Sequence, residues 1–176
     1  MPILVVLAAA GCGGNGGDKP ESPLPKARSS IGLVSPAVQP GARLPKRYTC
    51  DGDDVSLPLR WRFVPRGTRE LALLVEDGAA DHFVHWSVVG LPARTRELRA
   101  GGPLPRGAVE TENSFGDRRW GGPCPPKGED PHHYLFVLYA LKRRLGLRKD
   151  ASQDEVRRAI RGVALGEGAL TFLYSR

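Results

Sequence analysis

The sequence predicts a mainly β protein, a sandwich of short strands trimmed by one late helix, and three observations carry that prediction. Apolar and polar residues alternate over 57–63 and again over 83–89, the period of a strand buried on one face. The run 71–75 is continuously apolar, and 134–141 is apolar at both parities, as in a central strand covered on both sides. Helical spacing is convincing only once, at Val156, Ala159, Ile160, Val163 and Ala164, near the end of a chain of 176 residues.

Residues 1–12 carry a message separate from the fold. The stretch 2–10 is almost wholly apolar and runs into Gly11 and Cys12, ahead of a Gly-rich spacer. An apolar segment closed by small residues reads as an export signal. Its small-small-Cys ending resembles a bacterial lipobox, in which Cys12 is lipidated and becomes the mature N-terminus. No Lys or Arg precedes the apolar run, and Ala9 stands where leucine is usual, so a buried N-terminal strand is the competing reading. Residues 13–30 are Gly, Pro, Ser and charge, a flexible tether. The folded domain is expected over 31–176.

Within that domain Pro36, Pro40, Gly41 and Pro45 punctuate short extended pieces, and 48–54 is a turn-rich loop. Its Asp51, Asp53 and Asp54 lack the downstream glutamate and flanking helices of an EF-hand, which argues against calcium. Over 57–63, Leu57, Leu59, Trp61 and Phe63 share the buried face, with Arg60 and Arg62 outside. Over 83–89, Phe83, His85 and Ser87 share one side and Val84, Trp86 and Val88 the other. Alternation does not say which side meets a pocket. Residues 94–109 have no period and form a long loop. Ser152 and Glu155 have capping-box spacing for the helix, with Arg157, Arg158 and Arg161 on its outer face. Gly166 or Gly168 ends it, and 170–174 is a last short strand.

A net charge of +7, spread mostly as single arginines without interleaved aromatics, permits attraction to anionic lipid but does not point to nucleic acid. No stretch reaches the length of a membrane-spanning helix. The residues with chemistry gather at 120–134. Gly121, Gly122, Pro123, Pro125, Pro126 and Gly128 exclude a regular element there, and His132, His133 and Tyr134 then open the apolar run. A stiff loop that delivers polar side chains at the mouth of a buried strand builds a small polar pocket. A solvated crossover loop is the plainer alternative.

Taken in order, these motifs resemble the phosphatidylethanolamine-binding protein family, in its bacterial Raf-kinase-inhibitor-like branch. The matching pieces are Tyr48-Thr-Cys-Asp-Gly52, Val75-Glu-Asp77, Phe83-Val-His-Trp86, Asn113-Ser-Phe-Gly116, Gly121-Gly-Pro-Cys-Pro-Pro-Lys-Gly128 and His132-His-Tyr134 leading into Leu138-Tyr-Ala-Leu141. The resemblance covers Val34 to the C-terminus. It implies a two-sheet antiparallel β-sandwich with a C-terminal helix, and a pocket for phosphate-like or carboxylate-like groups, including the head of phosphatidylethanolamine. Around that pocket it places Asp77, His85, Gly122, Pro125, Pro126, His132 and Tyr134. A carboxylate near an imidazole favours an imidazolium, which gives an anion a charged hydrogen bond. Loop N–H groups and the Tyr134 hydroxyl add neutral donors. The chain departs from the family at Asp77-Gly-Ala-Ala-Asp81, where Asp-Pro-Asp-x-Pro is usual, and at His133, where arginine is usual. Asp81 would replace the missing acid only if its loop shifts.

With Cys12 lipidated or removed, Cys50 and Cys124 remain as an even pair in an oxidising compartment. The family brings both near the ligand site, so a disulfide is one expectation. A zinc site using them with His85 and His132 is the other, without recognisable ligand spacing. No cofactor and no metal is expected. Three functions follow. The leading one is non-enzymatic binding of a small anion or phospholipid head group, with modulation of a partner protein. The second is a protease- or kinase-inhibitor-like module, as in relatives. The third is a weak phosphoester hydrolase using Asp77 and His85, although no G-x-S-x-G, P-loop or H-E-x-x-H is present. The expected location is extracytoplasmic, membrane-anchored through Cys12 or otherwise secreted or periplasmic.

Overall fold

The layering of the molecule is set by one strand that is buried on both faces. The computed structural model describes residues 24–176. The expected export segment, Cys12 and the first part of the tether lie outside the described residues. The elements are β1 (Ser29–Ser30), β2 (Gly32–Val34), β3 (Leu59–Arg62), β4 (Glu70–Asp77), β5 (Phe83–Pro92), β6 (Glu97–Leu98), β7 (Val109–Glu110), β8 (His132–Leu141), α1 (Gln153–Ile160) and β9 (Ala164–Tyr174). They form a six-stranded sheet in the order β1-β9-β8-β4-β5-β7 and a three-stranded sheet in the order β2-β3-β6. Every pairing is antiparallel except β1 with β9, which is parallel.

All eight residues of β4 are buried. Leu71, Leu73 and Val75 face the small sheet, in a core with Leu59, Trp61, Phe136 and Phe172. Ala72 and Leu74 face the other way and join Val137, Tyr139 and Leu141 under Val156 and Ile160 of α1. Small sheet, large sheet and helix therefore form three layers. Each fully buried leucine in them contributes about 1.5–3 kcal/mol. The same alternation sends Glu76 toward the helix and Asp77 toward the sandwich interior, a division that decides what each acid does.

Several expectations need correction. Phe63 does not share the buried face. The strand stops at Arg62, and Phe63 turns out with φ 59° and is 78% exposed. The tether ends before residue 30, because Leu24 is buried against the helix layer and Ser29–Ser30 pairs with β9. The helix is shorter than its apolar period. Its capping box forms as read, but Gly162, at φ 77°, breaks it, so Val163 fills the same core from the approach to β9. Gly166 and Gly168 belong to β9, not to a helix end. A Cβ at Gly168 would lie 2.5 Å from the Ile31 carbonyl oxygen, so glycine there lets the incoming chain lie against the strand. The last strand accordingly spans eleven residues.

Arg157 is the most consequential difference. Helical spacing puts it on the outer face, yet its side chain is 13% exposed and its Nη2 donates to Glu76 Oε1 at 2.7 Å. Glu76 itself is fully buried. A charged pair thus ties α1 to the centre of the large sheet.

Candidate functional site

Strand register gathers the site. Asp77, at the end of β4, lies opposite Phe83 of β5 and Tyr134 of β8. His85 and His132 stand two residues from those positions, and period two puts them on the same sheet face. The Gly/Pro loop closes over this end. Gly121 N–H donates to the His85 carbonyl at 3.1 Å, and Cys50 N–H donates to Pro123 O at 3.2 Å. A disulfide joins Cys50 to Cys124. That bond also removes two of the four donors that a zinc site would have used.

Of the seven residues expected at the pocket, Asp77, His85, Pro125, Pro126, His132 and Tyr134 line one cavity of about 160 Å³. Gly122 does not. Its N–H donates to Asp54 Oδ1 at 2.8 Å, and a Cβ there would sit 2.1 Å from that same oxygen. Glycine is needed at this position for the aspartate's approach. Asp81 is exposed and outside the wall, and both Asp81 and His82 hold positive φ at the turn before β5. The loop does not shift to bring in a second acid.

Sequence reasoning missed the apolar walls. Phe83 and Phe115 both line the cavity, with ring centroids 4.7 Å apart in an edge-on pair. Phe115 is presented by buried Asn113, whose Oδ1 accepts from the N–H groups of Phe115 and Asp117. Glu129 was also missed, although it stands three residues before His132 and its carboxylate lies 3.2 Å from His132 Nε2.

The electrostatics differ from the expected pairing. Asp77 Oδ2 meets His132 Nδ1 at 2.7 Å, so the imidazole it charges is His132 and not His85. Burial alone would lower the His132 pKa, but hydrogen bonds to Asp77 and Glu129 outweigh it and raise it above 6.5. His85, 4% exposed, goes the other way. Burial lowers its pKa more than nearby carbonyls and carboxylates restore it. Its Nδ1–H donates to Gly121 O at 2.7 Å, which leaves Nε2 with a lone pair. The expected imidazolium at His85 is therefore a neutral acceptor. Tyr134 is fully buried, and burial followed by the charge of Asp77 pushes its pKa above 10. Its hydroxyl lies beside the Asp77 carboxylate, which adds to that shift, but makes no well-formed hydrogen bond within the protein.

The two histidines make opposite contributions to stability. That of His132, whose folded pKa is raised, is full below 6.5 and is lost as pH rises through its folded value. That of His85, whose folded pKa is depressed, is present above 6.5 and is lost as pH falls through its folded value. Proton NMR titration is expected to give midpoints on opposite sides of 6.5, with His132 the higher. Coincident midpoints, or the reverse order, would remove the assignment of Asp77 to His132.

The family model for phosphatidylethanolamine-binding protein matches residues 34–175. "Putative lipoprotein LppC" of Mycobacterium tuberculosis is 37% identical, over 96% of this chain and 90% of its own. The UPF0098 protein of Methanothermobacter thermautotrophicus is 40% identical, over 83% of this chain and 99% of its own. Among solved structures, E. coli YbcL, described as a new member of the mammalian PEBP family, superposes with a TM-score of 0.78. It is 31% identical and covers 84% of this chain and 99% of its own. With the sandwich and the histidine-lined cavity already in place, the chain belongs to the phosphatidylethanolamine-binding protein family.

Proposed function

We propose that the cavity binds a small phosphate-like or carboxylate-like acid, including the phosphate of a phospholipid head group, and holds it without transforming it. The observation that carries this reading is the Tyr134 hydroxyl, which is protonated, buried at the cavity wall and without a well-formed hydrogen bond, its neighbour Asp77 being engaged by His132. A buried donor left unmet costs about 1–3 kcal/mol. A ligand oxygen that accepts from it recovers that cost. His132, held charged by Asp77 and Glu129, supplies the positive end. His85 Nε2 accepts a hydrogen bond from the acid's O–H, so the species that satisfies both sides is a hydrogen phosphate ester or a protonated carboxyl. Phe83, Phe115, Pro125 and Pro126 suit an organic substituent.

A non-enzymatic role is supported by the cavity wall itself. The one thiol-derived sulfur in it, on Cys124, is committed to the disulfide, and the one hydroxyl beside Asp77–His132, on Tyr134, is held in its protonated form by burial and the charge of Asp77. An extracytoplasmic location, anchored through Cys12, is supported by the similarity to a protein named a lipoprotein and by the disulfide, which persists in oxidising compartments.

Titration calorimetry with inorganic phosphate and phosphoethanolamine tests the reading. Wild type is expected to bind both, more tightly at pH 6 than at pH 8, because the bound acid carries a proton. Tyr134→Phe is expected to weaken binding by roughly 5- to 30-fold, the worth of one buried hydrogen bond. No heat with either ligand would end the proposal. Hydrolysis of a phosphoester by wild type but not by His132→Ala would make the protein a hydrolase instead.

A further inference from the structure

The end of the sandwich opposite the cavity gathers a cluster of cationic side chains. Glu70, at the start of β4, pairs with both Pro92 and Leu141, so the turns beyond β5 and β8 meet there with the turn before β4. Arg69, Arg94, Lys142, Arg143 and Arg144 come together on those turns, and Arg106 joins from the loop before β7. They line two adjoining concavities of about 340 and 680 Å³, both of which include Arg69, Arg94 and Arg144. All six side chains are exposed. None takes part in an ion pair among the described residues. The acid in the wall, Glu70, is 5% exposed and already accepts from the N–H groups of Gly90 and Leu145 at 3.0 and 3.1 Å. It offers these cations little. Like charges held together without counter-ions favour an anionic partner.

The course of the chain indicates which partner. β1 runs parallel to β9 with Ser29 beside Gly166, and Gly166 lies opposite Ala140. Residues before Ser29 therefore lead toward the Leu141–Lys142 end, where Leu24 is buried with Ala151 and Val163. The described chain thus begins at the cationic end, and the apolar stretch and Cys12 precede that point in sequence. We propose that this end docks on an anionic phospholipid bilayer and holds the cavity away from the surface. The seven residue steps from Glu70 to Asp77 set that separation at about 23 Å. The orientation rests on the proposed attachment through Cys12. The electrostatic docking does not.

The test uses the full chain with Cys12→Ser, so that no acyl group contributes, and co-sedimentation with vesicles. Phosphatidylcholine vesicles with and without phosphatidylglycerol are compared at low and high salt. Binding is expected only with phosphatidylglycerol and is expected to vanish in high salt. Replacing Arg69, Arg94, Arg143 and Arg144 by alanine is expected to lower the partition coefficient by at least about a hundredfold. Arg106→Gln with Lys142→Gln, a milder pair, is expected to lower it by roughly tenfold or more. Titration of the same arginine variants with phosphoethanolamine is expected to match wild type, so a failed cavity and a failed docking surface are told apart. Equal binding to both vesicle types would assign attachment to residues 2–10 and overturn the proposal. So would variants that bind like wild type, or no vesicle binding at all. One-to-one binding of inorganic triphosphate at the same arginines without vesicle binding would replace the bilayer by a soluble polyanion.

Discussion

Replacing Cys50 and Cys124 together by serine is expected to cost about 4 kcal/mol of stability, the loop-closure value for a crosslink of this span. The two residues are separated by 74 positions in sequence, and the enclosed segment carries β3 to β7. Without the bond the unfolded chain gains that conformational freedom, and the folded state gains nothing in return. The bond also has a local task. Cys124 lines the cavity beside Pro125 and Pro126, and Cys50 belongs to the 48–54 loop, whose Asp51 accepts from Tyr174 Oη at 2.6 Å. Reduced protein is thus expected to unfold at lower urea and also to bind anions more weakly. Urea denaturation with and without reductant measures the first, and calorimetry on the reduced protein measures the second. A loss under about 1 kcal/mol, or two free thiols by mass in protein purified without reductant, would contradict the expectation.

Arg157→Ala is expected to be comparably damaging, at about 3–5 kcal/mol, because it leaves a carboxylate buried without its counter-charge. Glu76 is fully buried, and both Nε and Nη2 of Arg157 donate to its Oε1, at 3.1 and 2.7 Å. The His82 Nδ1 lies 3.4 Å from the other carboxylate oxygen, but without hydrogen-bond geometry. His82 cannot replace the guanidinium. The pair as a whole need not stabilise the fold, since removing both charges from water is itself expensive. The double variant Glu76→Leu/Arg157→Met is accordingly expected to recover most of the loss. Thermal or urea unfolding of the single and double variants gives the coupling energy directly. A single variant near wild type would show that water, rather than arginine, compensates Glu76.

How much of this was legible in the sequence depends on how local the cause was. The apolar runs at β4 and β8 announce burial on both faces, and the Ser152/Glu155 box marks the helix start because capping is decided within one turn. The convergence of Asp77, His85, His132 and Tyr134 was legible through family motifs, which encode register. The pairing inside the site was not. Whether Asp77 charges His85 or His132 depends on ångström-scale distances between strands, and the neutral state of His85 depends on burial that alternation does not reveal. Arg157 misled for a similar reason. A helix of eight residues shows an arginine as polar, and nothing nearby in sequence tells that a glutamate eighty-one positions away is waiting beneath it. Phe63 misled because a left-handed turn breaks period two without a glycine to signal it.

The parallel pairing of Ser29–Ser30 with β9 has one more consequence. Beyond it, Gly41 N–H donates to Thr171 O, while Leu44 and Leu173 N–H donate to Leu173 O and Ala42 O. The outer flank of the longest strand is therefore shielded from recruiting foreign chains. Proteolysis that trims the protein past residue 31 would strip part of that guard and leave the strand as a template for edge-to-edge aggregation.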